Sequence, residues 1–61
     1  MAGASIIWIN GDKSEQIAHF NNEYVLITIV DMKRVSLGAT LENAKEKLKE
    51  IGRYDIVEKI S

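Results

Sequence analysis

The stretch Val35-Ser36-Leu37-Gly38-Ala39-Thr40-Leu41-Glu42-Asn43-Ala44 constrains the fold most tightly. Within it an alternating, strand-like pattern gives way to a helical one. Gly38 punctuates the change, and Thr40 is placed to cap the helix that follows. The helix is expected over Leu41 to Ile51. Leu41, Ala44, Leu48 and Ile51 fall at i, i+3, i+7 and i+10 and form one apolar stripe, expected to be buried together against Val25, Ile27 or their neighbours. Its other side alternates charge, with Glu42–Lys45 and Glu46–Lys49 at pairing distance along the helix. Gly52 suits a left-handed stop.

Upstream of this joint the chain reads as strands. Residues 1–4 are small and expected to be frayed. Ser5 to Ile9 is nearly continuous in β-branched and aromatic residues, which suggests a strand covered on both faces. Asn10-Gly11 after it is a hairpin signal. Residues 12–20 fit two patterns. Asp12 and Glu15 have capping-box spacing with Ile17 and Phe20 at helical spacing, yet Glu15 to Phe20 also serves as a returning strand, and the strand is preferred. Asn21-Asn22 marks a turn. Tyr24 to Val30 is the most secure strand and, being apolar on both faces, a central one. Asp31 to Arg34 is a tight connection into a strand over Arg34 to Leu37. Residues 54–60 suit either a closing strand or a short second helix.

A chain of 61 residues makes one domain at most. It buries a modest share of its surface, so its stability is marginal without a staple. It has no cysteine, hence no disulfide or thiolate metal site, and a single histidine. Good packing or self-association is left as the supplement. Charged residues are 28% and the net charge is -1, which lacks the basic excess of a dedicated duplex-DNA binder. No apolar run is long enough to span a bilayer, and no signal-peptide pattern opens the chain, so a soluble, cytoplasmic protein with no membrane association is expected.

Chemical motifs are sparse. His19 would meet Glu15 only on a helix, and no serine sits in a nucleophile elbow. The helix carboxylates Glu42, Glu46 and Glu50 alternate with lysines and read as a solvated face. Asp12 and Glu15 lack the further oxygen ligands of a calcium loop. The four glycines are too scattered for a phosphate loop. No catalytic residue, metal ligand or cofactor is therefore assigned, and an enzyme is not expected. The one alternative surface is basic: Lys33, Arg34, Lys45, Lys49 and Arg53 are candidate nucleic-acid contacts, with Lys47 beside them.

The run Gly38-x-Thr40-Leu41-Glu42-x-Ala44, preceded by Val35 and followed by a lysine-rich helix, resembles HicB-type antitoxin domains over roughly residues 23–52. The resemblance implies a dimeric, non-catalytic, toxin-binding protein that represses its own operon. The chain lacks that family's Pro-Gly-Cys-like turn before the helix, and no separate DNA-binding segment follows the helix, so operator binding is not implied.

Together these features predict an α+β fold: an antiparallel meander of three or four strands with one main C-terminal amphipathic helix. One helix covers only one face of a sheet, yet the strands near 5–9 and 24–30 are apolar on both. A second copy of the chain is the simplest cover. The expected role is a small non-enzymatic interaction or regulatory module, homodimeric and antitoxin-like, with a further protein partner in reach. The alternative is a nucleic-acid-binding regulator whose basic patch forms on dimerisation.

Overall fold

Four strands pair in sequence order into an antiparallel sheet, β1 (Ser5–Ile9), β2 (Glu15–Phe20), β3 (Glu23–Thr28) and β4 (Lys33–Gly38), followed by helices α1 (Leu41–Glu50) and α2 (Tyr54–Ile60). The structure is a computed structural model that describes residues 3–61. The fraying expected at residues 1–2 lies outside the described residues. The α+β meander matches the sequence expectation, and β3 is central, paired with β2 on one side and β4 on the other.

Turn chemistry sets the register. Asn21 and Asn22 both take positive φ, at 51° and 60°, which is the geometry of a tight two-residue hairpin. That turn places Phe20 opposite Glu23 and Ala18 opposite Val25. The β1–β2 connection differs from a hairpin closed on Asn10-Gly11. The positive φ falls at Lys13 (63°), the Asn10 side chain reaches across to Ser14 and Glu15, and Asp12 accepts from the Ser14 N–H. Asp12 thus caps a loop rather than a helix, and residues 15–20 continue as a strand.

Alternation along the strands divides the apolar residues between two faces. Ile17, Leu26 and Leu37 point to the helices and form the core with Ala44, Leu48 and Ile56. Trp8, Tyr24 and Val35 pack around it. The sheet side of the core is therefore not Val25 and Ile27, which lie on the opposite face. The Asn21–Asn22 turn fixes which residues share a face, and the set with Val35 and Leu37 on β4, rather than Arg34 and Ser36, faces inward.

The helical stripe is also shorter than its spacing suggests. Ala44 and Leu48 are fully buried, but Leu41 and Ile51 stay exposed, because α1 meets the sheet through its middle turns and Ile56 of α2 takes the remaining space. Residues 54–60 are thus a helix and not a closing strand. The Tyr24–Val30 strand stops at Thr28, where Ile29 and Val30 enter the turn to β4. The Ile29 N–H donates to the Ser14 carbonyl and so ties two loops together. Strand β1 is an edge strand, with a bulge between Ile6 and Trp8, and it is not covered on both faces.

The ends of α1 follow the sequence signals. Thr40 is extended and its Oγ1 accepts the Asn43 N–H at 3.0 Å. At the other end Gly52 takes φ 82°, its N–H donates to the Lys49 carbonyl, and the Arg53 N–H donates to the Leu48 carbonyl. This paired closure is the Schellman motif. The charge pairs expected at Glu42–Lys45 and Glu46–Lys49 do not form; the ion pair on α1 is Lys47–Glu50 at 3.2 Å.

Gly52 also turns the chain so that Arg53 reaches back to the sheet. Its guanidinium grips the Glu15 carboxylate with two hydrogen bonds, at 2.5 and 2.8 Å, and reaches Asp55 as well. This clamp joins the first turn of α2 to the start of β2. Hydrogen bonds from Arg53 and, after opposing desolvation, its charge hold the Glu15 carboxyl below the ordinary 4.5. A carboxyl depressed in the folded state stabilises the protein above its unfolded pKa, and that contribution is lost as pH falls through the folded value. Arg53→Ala is expected to cost about 1.5–3 kcal/mol near neutral pH. Urea titrations across pH check this. The difference between wild type and Arg53→Ala should shrink as the pH drops below 4.5.

Candidate functional site

Among the described residues, none forms a layer over the face of the sheet turned away from the helices. Read across the strands, its rows follow the register. Ile6, Ala18, Val25 and Ser36 form the middle row. Ile9, Gln16, Ile27 and Arg34 form the row nearer the 10–14 loop. Phe20 and Glu23 form the opposite end, next to the Asn21–Asn22 turn. All of these except Ile9 line a groove of about 480 Å³, together with Ala4.

The groove exists because its floor is small and its walls are large. Ala18 and Val25 are buried although no helix lies over them. Phe20, Ile6 and Ile27 stand around the short Ala18 side chain. The walls stay open to water: Ile6 is 50% exposed and Phe20 38%. Large apolar residues gathered at that exposure on a concave surface mark interaction sites more often than scattered ones do.

Polarity rises toward one side. The β1 and β2 half is apolar except for Gln16, whereas β4 contributes Arg34 and Ser36. The Ser36 hydroxyl donates to the Glu23 carboxylate, so that carboxylate leans from β3 toward β4. The groove therefore holds one acid and one base, at opposite ends of its polar side.

The basic residues singled out in the sequence do not converge. Arg34 projects from the open sheet face, while Lys45 and Lys49 belong to α1 on the other side of the sheet. Lys33 sits at the β3–β4 turn, and Arg53 is engaged by Glu15 and Asp55. His19 stacks on Tyr24 of the neighbouring strand, with ring centroids 4.3 Å apart, and does not meet Glu15. Among the described residues no three His, Cys, Asp or Glu side chains gather to hold a metal ion, and no helix is long and apolar enough to cross a membrane.

A second exposed apolar group sits at the β3–β4 turn, where Val30 is 79% and Met32 74% exposed. It is a single loop tip without a groove. The open face was legible only in part from the sequence. The excess of apolar strand residues signalled an uncovered face. Which residues make it up depends on register, and Phe20, Glu23 and Ser36 carried no local signal of belonging to it.

Comparisons with protein families, with curated proteins and with solved structures find no match to this chain.

Proposed function

We propose that this protein is a small non-enzymatic interaction module that works as a homodimer, with the open face of its sheet as the docking surface. The observation that carries the reading is the groove between Ile6, Phe20 and Ile27, on a sheet face that none of the described residues covers with a second layer. Sheets of this kind gain stability when a second layer covers them. The chain is also short enough that such a contribution matters, since domains of this size hold roughly 3–5 kcal/mol from their own core.

The regulatory role implied by the Gly38–Ala44 joint belongs to the same reading. An antitoxin-like protein acts by occupying a partner and needs a rigid surface rather than a reactive group. A cytoplasmic setting accompanies it, since the cysteine-free composition suits a reducing compartment. A further protein partner would engage a surface other than the one closed in the dimer.

Folding linked to association makes thermal stability depend on protein concentration. The midpoint of wild-type unfolding is expected to rise with concentration. The midpoint of Ile27→Lys, which places a charge in the groove, is expected to be lower and independent of concentration. A wild-type midpoint that stays constant from micromolar to near-millimolar protein would contradict the proposal.

A further inference from the structure

The open face carries its own charge partner. From this we infer that the dimer closes face to face about a two-fold axis crossing the strands, its register fixed by two reciprocal ion pairs between Glu23 of one protomer and Arg34 of the other. This rests on the homodimer reading above and deepens it.

Two faces related by two-fold symmetry have the axis lying in the interface between them. There are two simple ways to place it on a sheet. An axis along the strands lays β1 of one protomer over β4 of its partner. Ile6 and Ile9 would then rest on Ser36 and Arg34, apolar against polar. An axis across the strands, at the level of Val25, lays each strand near its own copy with the ends exchanged. The apolar β1 side then meets the apolar β1 side, and Val25 faces Val25. Phe20 comes down beside Ile27 of the partner.

The same operation exchanges the Glu23 end of the face with the Arg34 end. The hydrogen bond from Ser36 draws the Glu23 carboxylate toward β4, the strand that carries Arg34. In the dimer the carboxylate therefore lies over the partner's β4, near its guanidinium. The long arginine stem absorbs the rotation of roughly 30° at which stacked sheets usually cross. Both pairs form at once, because an isologous interface repeats every contact.

Size limits the dimer to modest affinity. Four strands of up to six residues span roughly 19 × 20 Å, so two faces cover roughly 800 Å² of plane before side-chain relief is added. Specific stable interfaces start at roughly 1,200 Å² of accessible surface, so side-chain relief has to bring this one up to the small, weak end of that range. In an interface that small, like charges set against each other have a large relative effect.

Charge reversal tests the inference. Glu23→Arg alone sets arginine against arginine at both pairs, and Arg34→Glu alone sets glutamate against glutamate. Each single variant is expected to self-associate roughly tenfold or more weakly than wild type at low salt. An equimolar mixture of the two single variants is expected to form heterodimers, because both pairs become opposite in sign. The double variant Glu23→Arg/Arg34→Glu should self-associate like wild type, and its recovery shows that both substitutions are compatible with folding. Sedimentation of each variant and of the mixture reads the outcome, with Lys45→Glu and Glu46→Arg on α1 as controls that should associate like wild type. If wild type associates but the single variants do so equally well, or the mixture fails to recover, the register is overturned and the homodimer stands. The same holds if the α1 controls behave like the Glu23 and Arg34 variants. If wild type itself stays monomeric and the mixture does too, both readings fall.

Discussion

Leu48→Ala is expected to remove about 2–5 kcal/mol of stability, the range for truncating a buried leucine whose site cannot collapse. Leu48 is fully buried in the middle of α1, within the cluster of Ile17, Leu26, Leu37, Ala44 and Ile56. Its neighbours come from three strands and both helices, so no single element can move in to fill the space. A domain of this size has roughly 3–5 kcal/mol in total, so the loss approaches its whole stability. Each kcal/mol shifts the thermal midpoint by roughly 4–8 °C in so small a domain. Circular dichroism on heating should therefore show a midpoint lowered by roughly 8 °C or more, or no cooperative transition. A loss below about 0.5 kcal/mol, the level of an ordinary surface substitution, would contradict the placement of α1 on the sheet.

Gly38→Ala is expected to be the next most damaging change, for two reasons that act together. Gly38 sits at φ 113°, where a Cβ is strained whatever surrounds it. A Cβ built there would also lie 2.7 Å from the Asn43 Cβ, in the first turn of α1. Relief requires moving Asn43, whose N–H is the one held by Thr40. The strain and the disturbed cap together predict a cost of about 2–3 kcal/mol. Urea unfolding of Gly38→Ala beside Gly52→Ala separates the two contributions. Gly52 also has positive φ, but nothing lies within 4 Å of the site of its Cβ, so its substitution should cost less.

This pairing of glycines shows which parts of the fold the sequence announced. Thr40 and Gly52 bounded α1 because capping is a local interaction, written in residues three or four apart. The meander was legible for the same reason, since Asn21-Asn22 and the β-branched run after it act over short distances. Residues 54–60 were ambiguous because seven residues satisfy both a strand and a helix pattern. Packing of Ile56 beneath α1 decides between them. The Arg53–Glu15 clamp spans 38 positions and had no local signature at all.

The face assignment failed in an instructive way. Val25 and Leu26 are equally apolar, and moving every residue to the opposite face takes a register change of one position. The turn that sets Ala18 opposite Val25 groups them on one face, and Gln16, Arg34 and Ser36 on that same face turn it outward. The surplus of apolar strand residues that pointed to a partner was nonetheless visible in composition alone. In the structure it gathers on one face, as a groove bordered by Glu23 and Arg34.

The central claim is that this face is closed by a second copy of the chain. Sedimentation equilibrium of the wild-type protein, from low micromolar to near-millimolar concentration, tests it most directly. The account predicts an average mass that rises from one 6.9 kDa chain toward two and levels off there, with Ile27→Lys remaining at one throughout. A wild-type mass that stays at one chain across the whole range would contradict it.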